Sequence, residues 1–174
     1  MNYGFLNTQR GAKIFDIGQG TGILGKLLSQ QGFTNLDAAD ASPQYVRIAS
    51  ESGWYSSVSE FWFGRGVENL PDEMVMQYDV VMGTGIFMDG HIPGAGMDDA
   101  HALLKTGGHF VTCMRRCYYE NGEEHGYKDK LDELIAAGKF EIIKTWEFMR
   151  GIKDAQDPIF AEMPTFMFVA RRLD

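Results

Sequence analysis

Cysteine is scarce in this sequence of 174 residues, which contains two cysteines and four histidines. Cys113 and Cys117 form a single C-x-x-x-C pair with no second pair, which is a poor signal for zinc. The histidines show no metal-ligand spacing with these cysteines. We therefore expect reduced thiols near the end of a strand and no metal site.

Long apolar runs are also absent, since none approaches the roughly 20 residues that a membrane-spanning helix needs. The opening residues 1–5 lack the basic and apolar regions of a signal peptide. Both absences predict a cytoplasmic protein without a membrane partner.

Basic charge is in deficit, because 16 lysines and arginines face 24 aspartates and glutamates, which gives a net charge of −8. Surfaces that bind DNA or bulk RNA need a basic face, and none is visible at this balance. The paired basic residues 115–116 and 171–172 each close an apolar run that resembles a strand. We expect no nucleic-acid partner.

The length and the hydrophobic content of 44% fit one domain over residues 1–174.

Glycine is concentrated where the chain's clearest motif lies. Residues 12–17 form an apolar run that ends near Asp16, and Gly18, Gly20 and Gly22 follow at alternate positions. Apolar residues at helical spacing come next, so the pattern predicts a buried strand, a tight turn and a helix N-terminus. Glycine lets a ligand approach the backbone there without a Cβ in the way.

The motif is open to three interpretations. A dinucleotide would place its pyrophosphate on the helix N-terminus and needs G-x-G-x-x-G, which Gly25 could imitate. Asp16 argues against that ligand because its carboxylate would face phosphate, whereas it suits a ligand with an amino group. The third interpretation is a glycine turn that binds nothing.

A second carboxylate follows the next predicted strand. Asp40 ends the run 36–40, at about the distance from the glycine motif where a βαβ nucleotide site places an acid on ribose hydroxyls. Its alternative role is to cap the helix that begins near Ser42 and Pro43. Both roles are compatible.

The remaining periodicities alternate between strand and helix, which indicates an α/β chain. We predict strands at 12–17, 36–40, 61–63, 78–83, 109–114, 140–146 and 164–170, and helices at 22–31, 43–52, 95–104 and 127–137.

The motif Asp16-x-Gly18-x-Gly20-x-Gly22 resembles the first motif of class I S-adenosyl-L-methionine (SAM)-dependent methyltransferases, D/E-x-G-x-G-x-G. Three further segments look like superfamily motifs: residues 40–43 resemble D-I-S-P, residues 78–81 resemble F-D-x-V, and residues 104–108 resemble L-K-P-G-G. More narrowly, residues 53–55, 85–93 and 127–131 are similar to methyltransferase-like proteins of the Williams–Beuren syndrome chromosome region.

The resemblance implies a Rossmann-like class I methyltransferase fold. Its sheet has seven mostly parallel strands in the order 3-2-1-4-5-7-6, with strand 7 antiparallel and helices on both faces. It also implies SAM as cofactor and S-adenosyl-L-homocysteine as product, but no agreed substrate. Our first hypothesis for the function is a methyltransferase with a small-molecule acceptor. The residues expected to bind the cofactor are Asp16, Gly18, Gly20, Gly22, Asp40, Ala41, Val67, Glu68 and Gly83.

Each part of the cofactor has an expected neighbour under this resemblance. Asp16 would lie near the methionine moiety and Asp40 would accept from the ribose. A segment ending E-(N/D)-L-P, here residues 68–71, would pass the adenine. The usual adenine-binding Asp is replaced by Gly66-Val67, so backbone groups or Glu68 would take its place, unless the segment is a plain surface loop.

The loop after the fourth strand should face the reactive methyl group, because ligands bind outside the carboxyl ends of strands in open α/β sheets. Asp89 and His91 lie on it and are the candidate catalytic residues, with His91 able to take a proton from an acceptor. Alternatively, both only fix the loop through hydrogen bonds. Arg115, Arg116 and Tyr118 follow the fifth strand and are candidates for binding an anionic substrate.

The segment before the first strand is short compared with the family, where helices there cover SAM. About ten residues precede it, which implies that these cap helices are largely missing. The cofactor face would then be open, completed by the substrate, or covered by a second subunit in a homodimer. The alternative function is therefore a non-catalytic module that binds SAM or its product and needs a partner chain.

Overall fold

Seven strands form one sheet in the computed structural model, which describes residues 10–120, 126–151, 153 and 161–174. The strands are β1 Ile14–Ile17, β2 Leu36–Asp40, β3 Ser57–Glu60, β4 Tyr78–Thr84, β5 Leu104–Arg115, β6 Phe140–Arg150 and β7 Met163–Arg172. The helices are α1 Ile23–Gln30, α2 Pro43–Glu51, α3 Gly96–Leu103, α4 Arg116–Glu120 and α5 Tyr127–Ala136. Short 3₁₀ helices span Val67–Asn69 and Asp72–Met74.

The strand order is β3-β2-β1-β4-β5-β7-β6. The first five strands pair in parallel, and β7 is antiparallel to both β5 and β6. Parallel strands buried on both faces require continuous apolar runs, and every residue of β1 is buried. The predicted fold class, including the antiparallel seventh strand, is confirmed.

The core has a part on each face of the sheet, because successive side chains of a strand point to opposite sides. Phe15 and Ile17 of β1 pack in the larger cluster with residues of α3 and α5, whereas Ile14 packs in the smaller cluster with Leu28 of α1 and Leu36. Helices therefore cover both faces.

In the described part of the chain, no helix combines the length and the apolar character that crossing a bilayer requires.

The third strand was predicted in the wrong place. The aromatic triplet 61–63 has high strand propensity, but β3 is Ser57–Glu60, which pairs with β2 from Asp37 to Asp40. The triplet instead leaves the sheet: Phe63 is buried in the core while Trp62 is 52% exposed. Register with the neighbouring strand outweighed local propensity.

Other boundaries also differ from the prediction. β5 begins at Leu104, which pairs with Tyr78 before an irregularity in the ladder. Residues 105–108, which lie between the predicted helix 95–104 and the predicted strand 109–114, therefore belong to the strand. β6 and β7 are longer than predicted, since they pair with each other as far as Arg150 and Met163. Helix α4 was not predicted. The expectation about cap helices before β1 concerns residues 1–9, which lie outside the described residues.

Candidate functional site

A cavity of about 480 Å³ lies at the carboxyl ends of β1, β2 and β4. It brings together the glycine loop, the end of β2, the segment after β3 and the loop after β4. Its lining residues are Gly18, Gly20, Asp40, Ala41, Ser42, Tyr45, Phe61, Trp62, Phe63, Gly85, Ile86, Gly90, His91 and Ile92. Five predicted site residues are among them: Gly18, Gly20, Asp40, Ala41 and His91.

The glycine loop forms one wall of this cavity and requires glycine for two different reasons. Gly18 has φ of 63°, and a Cβ there would come within 2.8 Å of the Ile86 side chain. Gly20 has φ of 55°, and a Cβ there would meet no atom within 4 Å. Both backbone angles disfavour other residues. At Gly20 the backbone borders open space that a ligand could occupy.

Asp40 ties the glycine loop to the end of β2. One carboxylate oxygen accepts from the Gly20 N–H at 3.0 Å, and the other accepts from the Ser42 N–H at 2.8 Å. The cap of α2 is Ser42, whose hydroxyl accepts from the Tyr45 N–H at 3.5 Å. Each oxygen of Asp40 retains a lone pair, so the carboxylate can still accept from a ligand in the cavity.

Asp16 lies beneath the glycine loop instead of lining the cavity, and it is 3% exposed. Its carboxylate accepts from the Tyr55 hydroxyl at 2.7 Å, and that hydroxyl accepts from the Gly25 N–H at 3.1 Å. Burial raises the pKa of Asp16, the Tyr55 hydrogen bond partly offsets this rise and the Asp40 charge adds to it, so that the pKa is about 7. The two carboxylates are thus close enough to interact.

Tyr55 is a site residue that periodicity did not reveal. It joins Asp16 to the first turns of α1, and burial together with the Asp16 charge raises the pKa of its phenol. The only signal in the sequence was its place in the segment 53–55, which carried part of the narrower family resemblance.

Gln19 lies between the two cavity-lining glycines and is 7% exposed. Both its amide nitrogen and its amide oxygen are buried without a hydrogen-bond partner among the described residues. Buried polar groups are almost always paired, which makes this amide an exception. Gln19 is not among the residues that line the cavity, so the amide is no evidence of a ligand contact there.

The loop after β4 holds His91 through a defined hydrogen bond. The Nδ1 atom of His91 lies 2.9 Å from the Asp89 carbonyl oxygen. A carbonyl only accepts, so Nδ1 carries the proton and the neutral ring keeps Nε2 as a proton acceptor. Asp89 itself does not line the cavity, but it is two residues from His91, and both side chains are exposed.

Tyr127 of α5 fixes this loop from behind. Its hydroxyl lies 3.1 Å from the Ile92 carbonyl oxygen and 3.3 Å from that of Met88. Burial raises the pKa of this phenol, and the Asp89 charge adds to the rise. The backbone that carries Asp89 and His91 is therefore anchored at both ends.

Four other predicted site residues lie elsewhere. Gly22 caps the N-terminus of α1, and the carbonyl of Gly83 within β4 accepts from the Thr112 hydroxyl at 2.8 Å. Val67 and Glu68 line a different cavity, of about 390 Å³. The structure does not bring Val67 and Glu68 together with Asp40.

Phe61 and Trp62 line the cavity of 480 Å³, whereas Val67 and Glu68, which are expected to pass the adenine, line the other one. Trp62 carries the guanidinium of Arg65 over its ring at 4.4 Å from the centroid. The signal for these residues was the aromatic triplet itself, which is better explained as cavity wall than as strand.

Comparison with known proteins gave no matching family model. The chain is 30% identical over 139 residues to human Methyltransferase-like protein 27, covering 78% of this chain and 54% of that protein. It is 29% identical over 107 residues to the Ubiquinone biosynthesis O-methyltransferase of Xylella fastidiosa strain 9a5c, covering 61% and 43%. The chain spans about half the length of the curated relatives it matches.

Among solved structures, a SAM-dependent methyltransferase from Methanosarcina mazei superposes with a TM-score of 0.66 at 15% identity, covering 95% of this chain and 94% of that one. The chain has the fold of the Rossmann-like SAM-dependent methyltransferases. The SAM-methyltransferase fold places ligands at the carboxyl ends of its parallel strands, where the cavity of 480 Å³ lies.

The residues present at this end of the methyltransferase fold fit a SAM molecule. Gly20 leaves space beside the backbone, and Asp40 offers carboxylate lone pairs. Apolar and aromatic side chains line the neighbouring wall. The site thus combines hydrogen-bond acceptors for hydroxyl groups with flat surfaces for a base.

Proposed function

We propose that this protein is a SAM-dependent methyltransferase that acts on a small-molecule acceptor. The observation that carries the proposal is the cavity in which Asp40, the glycine loop and the loop after β4 converge at one end of the sheet. When bound, SAM supplies an electrophilic methyl group on a sulfonium, so the protein mainly has to align an acceptor and exclude water.

We assign the cofactor contacts from the positions of the side chains. Asp40 would accept from the ribose hydroxyls, and the backbone at Gly18 and Gly20 would lie beneath the ligand. Asp16, held by Tyr55 just outside the cavity lining, would lie near the methionine end, where a bound ammonium group would favour its ionised form. The faces of Phe61 and Trp62 suit the adenine ring.

His91 is our candidate for proton removal. Its Nε2 atom is the acceptor of the ring, and its Nδ1 atom is held by the Asp89 carbonyl, so the imidazole is oriented before any acceptor binds. Asp89 would act through the loop backbone. The other interpretation, in which both residues only fix the loop, predicts that replacing His91 changes turnover and loop dynamics together.

The relatives guide the choice of acceptor chemistry to test first. One is named an O-methyltransferase and another a methyltransferase-like protein, which supports transfer to oxygen as the first reaction to examine. The narrower resemblance to methyltransferase-like proteins of the Williams–Beuren syndrome chromosome region is part of the same proposal.

A second candidate function is a SAM-binding module whose cofactor face is covered by another chain, for example in a homodimer. The observation that favours it is apolar surface beside the cavity: Trp62 lines the cavity and is 52% exposed, and Ile23 at the start of α1 is 67% exposed. Sedimentation with and without SAM would test it, because a covered site predicts ligand-dependent dimerisation.

A methyl-transfer screen tests the proposed activity. The protein is incubated with SAM carrying a deuterated methyl group and with pooled metabolites, and products are sought by mass spectrometry. We expect deuterated methyl on a small molecule, and we expect His91→Gln to lower the rate at least tenfold while SAM affinity stays unchanged. SAM binding without any labelled product would favour the non-catalytic module.

A further inference from the structure

A further cavity of about 340 Å³ adjoins the proposed cofactor cavity. Gly85, just after β4, lines both cavities, so they meet at this residue. The second cavity also contacts Arg115, Tyr118 and Arg150, which come from the ends of β5 and β6 and from α4. It therefore occupies the place from which an acceptor could approach the loop after β4.

The sheet register puts two arginines on one face. Arg115 of β5 is opposite Thr165 of β7, and Thr165 is opposite Phe148 of β6. Arg150 is two residues beyond Phe148, so its side chain points to the same face as that of Arg115. Thr165 also lines the cavity and lies between the two arginines.

Arg150 reaches the boundary between the two cavities. Its two terminal guanidinium nitrogens lie 3.5 and 3.9 Å from the position that a Cβ on Gly85 would occupy. Burial raises the pKa of the Cys113 thiol in β5, and the positive charge of Arg150 opposes that rise. Its guanidinium is in no ion pair with a carboxylate of the described residues.

Arg116 differs from Arg150. Its guanidinium is held by Glu120 and Glu147, each at 2.7 Å, and it does not line the cavity. The chain has a net charge of −8, but two arginines line this one cavity and give it positive charge. A positively charged cavity suits an anionic ligand.

We propose that the methyl acceptor is a small molecule with an oxyanion group, a carboxylate or a phosphate, bound by Arg150 and Arg115. This inference rests on the proposed function. Guanidinium groups bind such oxyanions through paired, charge-assisted hydrogen bonds. Apolar side chains of Phe87, Met88 and Met114 line the same cavity, so the rest of the acceptor is apolar or aromatic.

Titration with a matched pair of probes tests this site without requiring turnover. Benzoate and benzamide have the same shape and differ in charge, and each is titrated into the full chain while backbone amide shifts are followed by NMR. We expect saturable shifts at Gly85 and Arg150 with benzoate, and at least tenfold weaker binding of benzamide.

Two variants distinguish binding in this cavity from a general effect of the protein's charge. Arg150→Gln should weaken benzoate binding at least tenfold, whereas Arg116→Gln, which removes the same charge outside the cavity, should leave it within twofold. Equal binding of the two probes, or equal loss in the two variants, would overturn the inference.

Calorimetry with SAM on the same variants tests this inference separately from the proposed function. If SAM binds with unchanged affinity in Arg150→Gln while benzoate binding is lost, the anion site is supported as distinct from the cofactor site. If SAM binds but benzoate does not bind to the unmodified chain, the inference fails and the proposed function stands. Failure of SAM to bind at all would instead remove the proposed function.

Discussion

At the residue scale, the candidate site contains residues that directly follow strand ends and residues that reach the site from elsewhere in the chain. Gly18, Gly20 and Asp40 line one cavity because they follow adjacent parallel strands, which the motif spacing already implies. Arg150 and Tyr55 escaped prediction because their roles depend on tertiary contacts with Gly85 and Asp16. Short-range patterns carry no information about such contacts.

Asp16 should make stability depend on pH. Its pKa in the folded chain is raised from 3.8 to about 7, so between these values the folded state binds more protons than the unfolded state. The free energy of unfolding contributed by this group therefore falls as the pH rises through that window, by at most roughly 1.4 kcal/mol per pH unit. Asp16→Asn should remove this dependence, as measured by urea unfolding from pH 5 to pH 8.

Asp79→Asn is the matched control for that experiment. Partial burial works against ionisation of Asp79, but the Lys105 ammonium and the Lys13 N–H lower its pKa overall. Its stabilising effect is then complete above its unfolded pKa and is lost only as the pH falls below it. The control should change stability without changing the slope between pH 5 and pH 8. An Asp16→Asn slope equal to that of the unmodified chain would contradict the raised pKa of the buried Asp16 carboxyl.

At the element scale, the parallel strands β1, β2 and β4 were predictable because each is an apolar run flanked by turn or helix signals. β3 was not, because its residues Ser57–Glu60 have little strand propensity and are ordered by pairing with β2. The loop after β4 was located by its position in the chain. Its anchoring by Tyr127, however, depends on how α5 packs against it.

Tyr127→Phe should loosen the loop after β4. The change removes the hydroxyl near the Met88 and Ile92 carbonyl oxygens, at a cost of roughly 1 kcal/mol in unfolding free energy. We expect faster hydrogen exchange of the His91 and Ile92 amides, whose partners lie within the same loop. Tyr119→Phe is the control, because the Tyr119 ring stacks on Phe166 and should leave that exchange unchanged. Equal exchange in both variants would show that the phenol does not anchor the loop.

At the scale of the whole molecule, the strand order and the antiparallel β7 followed from family resemblance, since periodicity alone does not fix the order of strands. In that topology two cavities share Gly85 as a lining residue. One is lined by the glycine loop and Asp40, and the other by Arg115 and Arg150. Under the proposed function, this end of the sheet has a cofactor side and an acceptor side.

Calorimetric titration of SAM into the purified chain, its Asp40→Asn variant and its Glu51→Gln variant tests the central claim most directly. Hydrogen bonds to a charged acceptor contribute roughly 1.5–3 kcal/mol, so we expect saturable binding that Asp40→Asn weakens about ten- to a hundredfold. Glu51→Gln removes a charge at the end of α2 and should bind as the unmodified chain does. Absence of binding heat at millimolar SAM, or equal affinity in all three proteins, would contradict the account.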